Sequence, residues 1–463
     1  MLELGCGNGS NLIPMAFCLP HSRFAGVDLA ATQIEAGATR AASLGLKNLD
    51  LRHFDVMEIG RDFGEFDYII AHGLYSWVPA TVREKVFEVC RENLAPGGVA
   101  YVSYNTFPGG HLRRIVRDIL RYHTRDIQDP KERVREALAL ARYLSHWRHD
   151  KDNERDLLRA EFDRVLGYDP NHLYHDDLAE INVPVYFREF AEQASRHGLK
   201  YLCEADFFEM QGPPVAPEGP DAPRLPAPDD LIEFEQYIDF LRCRRFRQTL
   251  LCHDGVTIDR SLEPSRLKGL FLASPLKPES ETPDLSYGKI EQFSGPHEVQ
   301  IGTDFPAAKA ALVVLGKIYP LSLRFEALLK RSRELAAAGS VNGDDWPEQI
   351  ARELAGMLLK MYATNAVELS ASPPRFTVEV SERPEASRLV REQLKAGQVV
   401  VNQLHRLVEI RDDKARQLLQ LADGTRDLAT LRREMVALAQ TEISTDAMVK
   451  NLHSAARGAL LVR

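Results

Sequence analysis

The stretch ELGCGNG (Glu3–Gly9) decides the fold of the N-terminal part of this chain. Three glycines at alternate positions follow the apolar segment Met1–Leu4, and Asn8–Cys18 can form the helix that comes next. Such a loop lets the backbone turn tightly and approach a ligand closely, and the first helical turn offers unpaired N–H groups. Taken alone, the loop is equally compatible with a purely structural turn.

Outward from this loop, short apolar strands alternate with helices as far as Asn105. The predicted strands are Met1–Leu4, Arg23–Val27, Leu49–Phe54, Phe66–Ala71 and Val99–Tyr104, and the predicted helices are Asn8–Cys18, Thr32–Leu44 and Thr81–Leu94. This alternation predicts an α/β fold with a parallel sheet and helices on both of its faces. Ligands of such sheets bind at the carboxyl ends of the strands.

The rest of the chain has three further parts. A helical insertion is predicted at about residues 109–181, and a segment at about 182–253 returns to the sheet, with a Pro-rich irregular loop at Gly212–Pro228. We therefore place the first domain at residues 1–253. Residues 254–302 are rich in Pro, Ser and Gly and are predicted to be a linker. Residues 303–380 and 381–463 each show helices followed by a terminal strand, which predicts two α+β winged-helix-like modules.

Two aspartates strengthen the ligand-site interpretation of the loop. Asp28 ends the second predicted strand, where a carboxylate can accept hydrogen bonds from both hydroxyls of a ribose. Asp55 ends the third, in a position to meet an adenine amino group. Each could instead be a helix cap or a turn residue. Because all three features fall at successive strand ends, a binding site is favoured over three separate coincidences.

The spacing Gly5-x-Gly7-x-Gly9 with an acid at Glu3 differs from the G-x-G-x-x-G of dehydrogenases. With Asp28 and Asp55, it resembles class I S-adenosylmethionine-dependent methyltransferases, which implies a Rossmann-like domain. Five further stretches are similar to bacterial methyltransferases with a methyltransferase regulatory domain: HGLYSWVP (72–79), YVSYNTFPGG (101–110), NVPVYFREFAEQASRHGLKYLCEADF (182–207), EQYIDFLRCRRFRQTLLCH (235–253) and DGTRDLATL (423–431). That group includes protein lysine methyltransferases acting on bacterial surface proteins, with C-terminal parts that are winged-helix-like.

The resemblance implies S-adenosyl-L-methionine as the cofactor. We expect its binding residues to be Glu3, Gly5, Gly7, Asn8, Gly9, Asp28, Asp55, Ala71 and His72. We expect the catalytic residues to be Tyr75, Trp77, Tyr104 and Asn105, at the ends of the fourth and fifth strands. For Tyr75 and Trp77, core packing is an equal alternative. His72 is more often structural than a base, whereas Tyr104 and Asn105 are expected at the mouth of the site.

Two clusters of polar residues are predicted to be structural or surface features and not functional sites. Arg113, Arg117 and Arg121 recur every four residues, and a solvated helix face is favoured over a surface for an acidic partner. His172, His175 and Asp176 are of metal-ligand types, but a cap or surface cluster is favoured, so no metal is predicted.

Composition limits the function classes. The formal charge of -9 makes nucleic acid an unlikely partner, and no apolar run approaches the roughly 20 residues that a membrane span needs. Six scattered cysteines predict reduced thiols and a cytoplasmic location. We expect an enzyme that methylates a protein side-chain nitrogen, a lysine for some members of the group. A small-molecule methyltransferase, or a non-catalytic binding protein that uses the winged-helix-like modules, is the alternative.

The resemblance also bears on the first strand, because relatives carry helices before it that help to close the cofactor site. The printed sequence begins at this strand. We expect either that translation begins upstream of Met1 or that the site is more open. An in-frame upstream segment would then tighten cofactor binding. No oligomeric state follows from the sequence.

Overall fold

The structure is a computed structural model that describes residues 1–146, 153–210, 230–338, 346–373, 375–439, 442 and 444–462. The predicted Pro-rich loop Gly212–Pro228 lies outside the described residues. The chain divides into two compact units. The first comprises Met1–Leu12, Arg23–Ala38 and Leu49–Ile258, and the second comprises Ile13–Ser22, Thr39–Asn48 and Asp259–Arg463.

The sheet strands of the N-terminal part, as far as the described residues show them, are β1 (Leu2–Leu4), β2 (Phe24–Asp28), β3 (Leu49–His53), β4 (Phe66–Ala71), β5 (Leu94–Asn105), β6 (Leu199–Glu204) and β7 (Phe246–His253). The helices between them are α1 (Leu12–Cys18), α2 (Ala31–Leu44), α3 (Ala80–Asn93), α4 (Gly110–His123), α5 (Pro130–His146), α6 (Asn153–Leu166), α7 (Pro170–Asp176), α8 (Phe187–Arg196) and α9 (Leu231–Arg242).

Within the described residues, these seven strands form one sheet in the order β3-β2-β1-β4-β5-β7-β6. β1 to β5 are parallel, and β7 lies antiparallel between β5 and β6. The predicted parallel α/β sheet is therefore confirmed, with an antiparallel pair added at one edge. The loops after β1, β2, β3, β4 and β5 consequently meet at the same edge of the sheet.

Apolar side chains of the strands and of α3 and α8 form the core beside this sheet. Leu2, Leu4, Ile69 and Val102 are fully buried there, and Phe190 packs among them. The short strand β1 is buried at all three positions, which is typical of a central parallel strand. The core therefore fixes the strand ends on which the site depends.

The predicted helical insertion is present as α4 to α7. Its helices carry a small core of their own, in which Val116, Leu120, Ala137, Ala141 and Phe162 are buried. Hydrophobic residues at helical spacing, such as Val134 and Leu138, pack against this core.

In residues 271–370 the second unit contains nine strands and helices, counted over the described residues. They are β8 (Phe271–Ala273), β9 (Lys277–Pro278), β10 (Glu291–Ser294), β11 (Gln300–Thr303), α10 (Pro306–Ile318), β12 (Leu323–Arg324), α11 (Phe325–Ala338), α12 (Glu348–Ala363) and β13 (Glu368–Ser370). Three of these strands, β8 to β10, lie inside the predicted linker 254–302, and β11 begins there, so the linker prediction is wrong. Leu267, Leu272, Leu276 and Phe293 explain the difference, because all four are fully buried against the helices that follow.

The first predicted winged-helix-like module, 303–380, has the expected helices and terminal strand. Its strands β12 and β13 both pair antiparallel with β8, so the small sheet is completed by a strand from the predicted linker. The module boundary therefore lies earlier in the chain than the sequence pattern suggested.

The C-terminal elements are α13 (Arg388–Gln393), β14 (Val399–Val401), β15 (Leu407–Glu409), α14 (Asp413–Leu421), α15 (Leu428–Ala439) and α16 (Thr445–Arg457). β14 and β15 form an antiparallel hairpin. Leu418, Leu431, Met448 and Leu452 hold the helices together in one buried cluster.

Candidate active site

The glycine loop after β1 is tied to the end of β2. The backbone N–H groups of Gly5 and Cys6 both donate to the carbonyl of Val27, at 2.9 and 3.0 Å. Gly7 has a φ of 53°, a left-handed conformation that favours glycine, and a Cβ built on it would meet nothing within 4 Å. Open space therefore lies beside the loop at Gly7, where a ligand can approach the backbone.

The next two predicted cofactor residues continue this loop. The Asn8 side-chain oxygen accepts from the backbone N–H of Ser10 at 3.2 Å, and the Gly9 N–H donates to the Cys6 carbonyl at 2.9 Å. Both contacts shape the turn that leads into α1.

The Glu3 side chain is buried beneath the loop, with only 3% of its surface exposed. Its Oε1 accepts from Asn11 Nδ2 at 3.0 Å, whereas its Oε2 has no hydrogen-bond partner among the described residues. Burial raises the pKa of Glu3 to about 7, and the charge of Asp28 adds to the rise while the Asn11 hydrogen bond opposes it. A buried carboxylate oxygen of this kind suits a cationic group of a ligand.

Asp28 joins the end of β2 to the loop. Its Oδ2 accepts from the N–H of Gly7 and its Oδ1 from the N–H of Ala30, both at 2.8 Å. The carboxylate thus stands beside the open space at Gly7, and each oxygen keeps a lone pair for a ligand hydroxyl.

Asp55 caps a short 3-10 turn, Val56–Glu58. Its Oδ1 accepts from the N–H of Met57 at 2.9 Å, so the structural role considered for this residue is present. The carboxylate lies just after β3 at the same edge of the sheet as Asp28, and binding of a ligand by Asp55 stays a prediction.

The end of β4 carries the last two predicted cofactor residues. The Ala71 side chain is fully buried in the core, which leaves only its backbone to meet a ligand. His72 is exposed, and its Nδ1 lies 3.1 Å from the hydroxyl of Tyr101. Its ring also meets Phe246 edge-on at 6.4 Å, and this partial desolvation lowers the pKa of His72.

Two of the four predicted catalytic residues are buried in an aromatic cluster. Tyr104 is 1% exposed, stacks on Phe190 with ring centroids 4.0 Å apart, and shares a hydrogen bond with Thr249. The prediction that Tyr104 lies at the mouth of the site is therefore wrong, because the side chains of a strand alternate and this one points into the core. Tyr75 is also fully buried and donates to Gln193, so core packing accounts for it. Burial raises the pKa of both phenols, which stay protonated.

The other two predicted catalytic residues line a cavity of about 490 Å³. The Asn105 side-chain nitrogen donates to Asn182 Oδ1 at 3.0 Å, and the Asn105 N–H donates to the hydroxyl of Ser76 at 2.9 Å. The Trp77 ring lies 5.3 Å from the His175 ring. His72 and Phe246 also line the cavity, which therefore begins where β4 and β5 end.

The helical insertion supplies the other wall, which the sequence reasoning missed. Arg113 pairs with Asp177 at 3.0 Å and with Asp176 at 3.3 Å, and it lies over the ring of Tyr168. Arg117 is 5% exposed and donates to the carbonyls of Asp176 and Ala179. The prediction of a solvated arginine face is thus wrong for these two residues. The four-residue spacing was the signal for this wall.

A second buried network behind β5 also went unpredicted. Arg247, 1% exposed, donates to Glu204, Glu235 and Asp239, and its guanidinium lies 3.9 Å from the Phe187 ring centroid. Its four partners come from β6, α8 and α9. Arg247 therefore links β6, α8 and α9 in the interior of the segment around residues 182–253.

No group of three or more His, Cys, Asp and Glu residues that could hold a metal ion occurs among the residues that the structure describes. His175 pairs with Asp176 at 2.9 Å, which raises the pKa of its imidazole. The side chain of His172 lies outside the described residues.

In the described part of the chain, no helix is both long enough and apolar enough to span a membrane.

Comparison with known proteins covers all parts of this architecture. Three family models match: "Methyltransferase domain" at residues 2–100, "Predicted methyltransferase regulatory domain" at residues 169–253, and "PKMT, C-terminal winged helix domain" at residues 382–450. Uncharacterized protein RP789 of Rickettsia prowazekii is 33% identical over 401 residues, which cover 85% of this chain and 71% of that protein.

Two solved structures resemble the whole chain. PKMT2 from Rickettsia typhi, solved in complex with AdoHcy, is 25% identical with a TM-score of 0.86, covering 100% of this chain and 94% of PKMT2. PKMT2 solved without AdoHcy is 26% identical with the same TM-score, covering 100% of this chain and 93% of PKMT2. The cofactor fits the residues described above, with glycine backbone beside open space and, nearby, the carboxylate oxygen of Glu3 that has no partner among the described residues. The chain therefore belongs to the S-adenosylmethionine-dependent methyltransferases that carry a methyltransferase regulatory domain and a C-terminal winged helix domain.

Proposed function

We propose that this enzyme methylates the side-chain amine of a protein lysine, and that the acceptor enters the cavity at the ends of β4 and β5. The observation that carries the proposal is the position of this cavity. It begins at His72, directly after β4, and extends along the insertion helices to rim side chains that stay in solvent. Arg114 keeps 65% of its side chain exposed and Arg164 keeps 46%. An opening along two helices suits a polypeptide better than a small molecule held in a closed pocket.

Similarity supports the same acceptor class. The "PKMT" winged helix model and the PKMT2 structures match this chain over its C-terminal part and over its whole length, respectively. The sequence resemblance to protein lysine methyltransferases points in the same direction.

We propose that Glu3, Gly5, Gly7, Asn8, Gly9, Asp28, Asp55, His72 and the backbone of Ala71 hold S-adenosylmethionine. When bound, this cofactor supplies a methyl group on a sulfonium. Gly7 and Asp28 would meet the ligand where the loop leaves open space, and the Glu3 carboxylate would face its positive charge.

Asn105 and Trp77 are the residues we propose for the acceptor. Because Asn105 Nδ2 already donates to Asn182, its Oδ1 is the atom that can accept a hydrogen bond from an amine. The Trp77 ring offers an apolar face for the lysine stem and a π-face for its amine. The acceptor must lose a proton before it attacks, and the buried Arg117 in the cavity wall lowers the pKa of an amine bound beside it.

The test uses the full chain with methyl-labelled S-adenosylmethionine and a bacterial lysate. We expect label in the protein fraction and, after acid hydrolysis, in Nε-methylated lysine. Label confined to the small-molecule fraction would establish the alternative acceptor class instead.

Variants then test the assigned residues. Trp77→Leu and Asn105→Ala should lower the transfer rate about tenfold or more while cofactor affinity, measured by calorimetry, stays unchanged. Tyr122→Ala is the matched control, because Tyr122 is 70% exposed on α4 and does not line the cavity. If the three variants behave alike, Trp77 and Asn105 do not contact the acceptor.

The predicted cytoplasmic location remains part of this proposal. Fractionation of cells that express the full chain, with the protein detected by antibody, would test it.

A further inference from the structure

The cavity wall has a charge opposite to that of the whole chain. The formal net charge of the protein is -9. Among the described residues that line the cavity, however, five are arginines and two are carboxylates. The arginines are Arg113, Arg114, Arg117, Arg164 and Arg245, and the carboxylates are Glu161 and Asp176. A concave surface lined by one sign of charge concentrates ligands of the other sign.

Two of these arginines have close carboxylate partners inside the protein. Arg113 is paired with Asp177 and Asp176. Arg245 donates to both oxygens of Glu161, at 2.5 Å each, in a bidentate pair. These two guanidiniums shape the wall and are already neutralised.

Arg117 leaves positive charge in the wall. It donates to two backbone carbonyls, which satisfy its hydrogen bonds without cancelling its charge. Burial lowers the pKa of Arg117 to about 10, the charge of Asp177 opposes this effect, and the charges of Arg121 and Arg113 add to it. The guanidinium is still protonated at neutral pH, so its charge contributes to the field in the cavity.

Arg114 and Arg164, which we call the arginine rim, have the weakest ion pairs of the five arginines. Among the described residues, Arg114 reaches only Asp118, at 4.0 Å, and Asp118 itself is 67% exposed. Arg164 lies 3.4 Å from Glu161 Oε1, an oxygen that already accepts from Arg245. The Arg114–Asp118 pair is exposed on both sides, and such pairs contribute little and exchange readily. In the Arg164–Glu161 pair the guanidinium is 46% exposed, while the buried carboxylate is already held by Arg245. Both guanidiniums can therefore turn toward a carboxylate that comes from outside.

We propose that the acceptor is an acidic segment, in which Glu or Asp residues beside the target amine are bound by Arg114 and Arg164. This inference rests on the proposed function, because it concerns the polypeptide that enters the same cavity. The two parts of the wall then have complementary effects. The buried charge of Arg117 favours the neutral, nucleophilic form of the amine, and the rim neutralises the neighbouring carboxylates, which would otherwise raise the pKa of that amine.

The experiment compares three synthetic peptides that differ only beside a single lysine. The flanking residues are two Glu, two Gln or two Lys in an otherwise Gly-Ser sequence, and methylation by the full chain with S-adenosylmethionine is measured by mass spectrometry. We expect kcat/KM to fall about tenfold from the Glu peptide to the Gln peptide, and further for the Lys peptide. The preference should appear in KM and weaken as salt is raised.

Arg114→Gln and Arg164→Gln test which residues produce the preference. Each substitution should reduce the preference for the Glu peptide about threefold or more, because kcat/KM falls for that peptide. The kcat/KM for the Gln peptide should stay unchanged. Arg159→Gln is the matched control, since Arg159 is 58% exposed on the same helix as Arg164, lies 4.0 Å from Asp163 and does not line the cavity. It should keep the full preference. Thermal melting and cofactor binding show that each variant is folded.

The outcomes separate the two proposals. Equal methylation of all three peptides would overturn the acidic-segment inference and leave the proposed function standing. If no peptide or lysate protein is methylated although the cofactor binds, the proposed function fails. A poly-Glu peptide should inhibit methylation competitively. If single-stranded RNA competes and poly-Glu does not, the rim serves a nucleic acid and the inference is wrong.

Discussion

Replacing Glu3 by Gln should make the ligand-free protein more stable and the cofactor complex weaker. Gln keeps the shape of the side chain, and its carbonyl oxygen can still accept the hydrogen bond from Asn11. The substitution removes the charge of a buried carboxylate, one oxygen of which has no partner among the described residues. The two effects have opposite signs, which distinguishes a ligand-binding carboxylate from a purely structural one.

The size of the stability effect follows from the pKa. In the unfolded chain a glutamate ionises near pH 4.3, whereas burial raises the pKa of folded Glu3 to about 7. Ionising Glu3 in the folded protein is therefore unfavourable. The cost is nearly absent at about pH 4, grows as the pH rises and is complete above about pH 7, where it amounts to roughly 3–4 kcal/mol. Glu3→Gln removes this cost, so it should stabilise the ligand-free enzyme at pH 8 and change it by only about 1 kcal/mol at pH 5.

The effect on binding follows from the fraction of Glu3 that is ionised. With a pKa of about 7, this fraction is about one eleventh at pH 6 and about ten elevenths at pH 8. If the ionised form binds the cationic cofactor, the ratio of wild-type to Glu3→Gln affinity rises about tenfold between these pH values. Any titration of the cofactor itself cancels in this ratio.

Chemical denaturation and calorimetric titration with S-adenosylmethionine measure the two quantities at each pH. Glu58→Gln is the control, because Glu58 is exposed and the charge change is the same. Loss of stability in Glu3→Gln at pH 8 would refute the argument from burial. An affinity ratio that is the same at pH 6 and pH 8 would refute the role in binding.

Four further substitutions separate packing from ligand contact. Gly37→Ala places a Cβ 2.5 Å from the backbone oxygen of Asn8, so it should lower the free energy of unfolding by about 1–3 kcal/mol and distort the loop, as thermal melting and calorimetry would show. Gly7→Ala meets no atom within 4 Å but needs a φ of 53°, so we expect a stability loss of only about 1–2 kcal/mol and a loss of cofactor affinity of tenfold or more by calorimetry. Asp28→Asn turns an amide nitrogen toward a backbone N–H and should weaken cofactor binding about tenfold in the same titration. Arg247→Met removes the guanidinium that three buried carboxylates share and should destabilise the fold by about 3–5 kcal/mol in chemical denaturation. Unchanged stability in that variant would refute the structural role assigned to Arg247.

The sequence predicted the parallel sheet because its strands are short apolar runs with glycine, proline or aspartate at their ends. It also pointed to the glycine loop and to Asp28, because those contacts are made by residues next to the strand ends in the chain. Asp28 reaches Gly7 across only one strand pair, β1 and β2, so knowledge of the fold was sufficient to bring the two together.

The orientation of side chains at the strand ends could not be predicted in the same way. Tyr104 and Asn105 are adjacent in sequence, yet one is buried on Phe190 and the other lines the cavity. Successive residues of a strand face opposite sides, and only packing decides which side is filled by α8 and which is left open. The linker prediction failed for a related reason, because Pro and Gly can occur between short strands that a distant helix covers.

The sequence by itself determined the family, the cofactor loop and the approximate order of the parts, since these depend on short-range patterns. Only the tertiary structure decided the chemistry of the cavity wall. Arg113 and Arg245 are far apart in the chain, and their carboxylate partners are 64 and 84 residues away, respectively. Whether an arginine is neutralised, buried or open to solvent depends on such distant partners, and no local pattern encodes them.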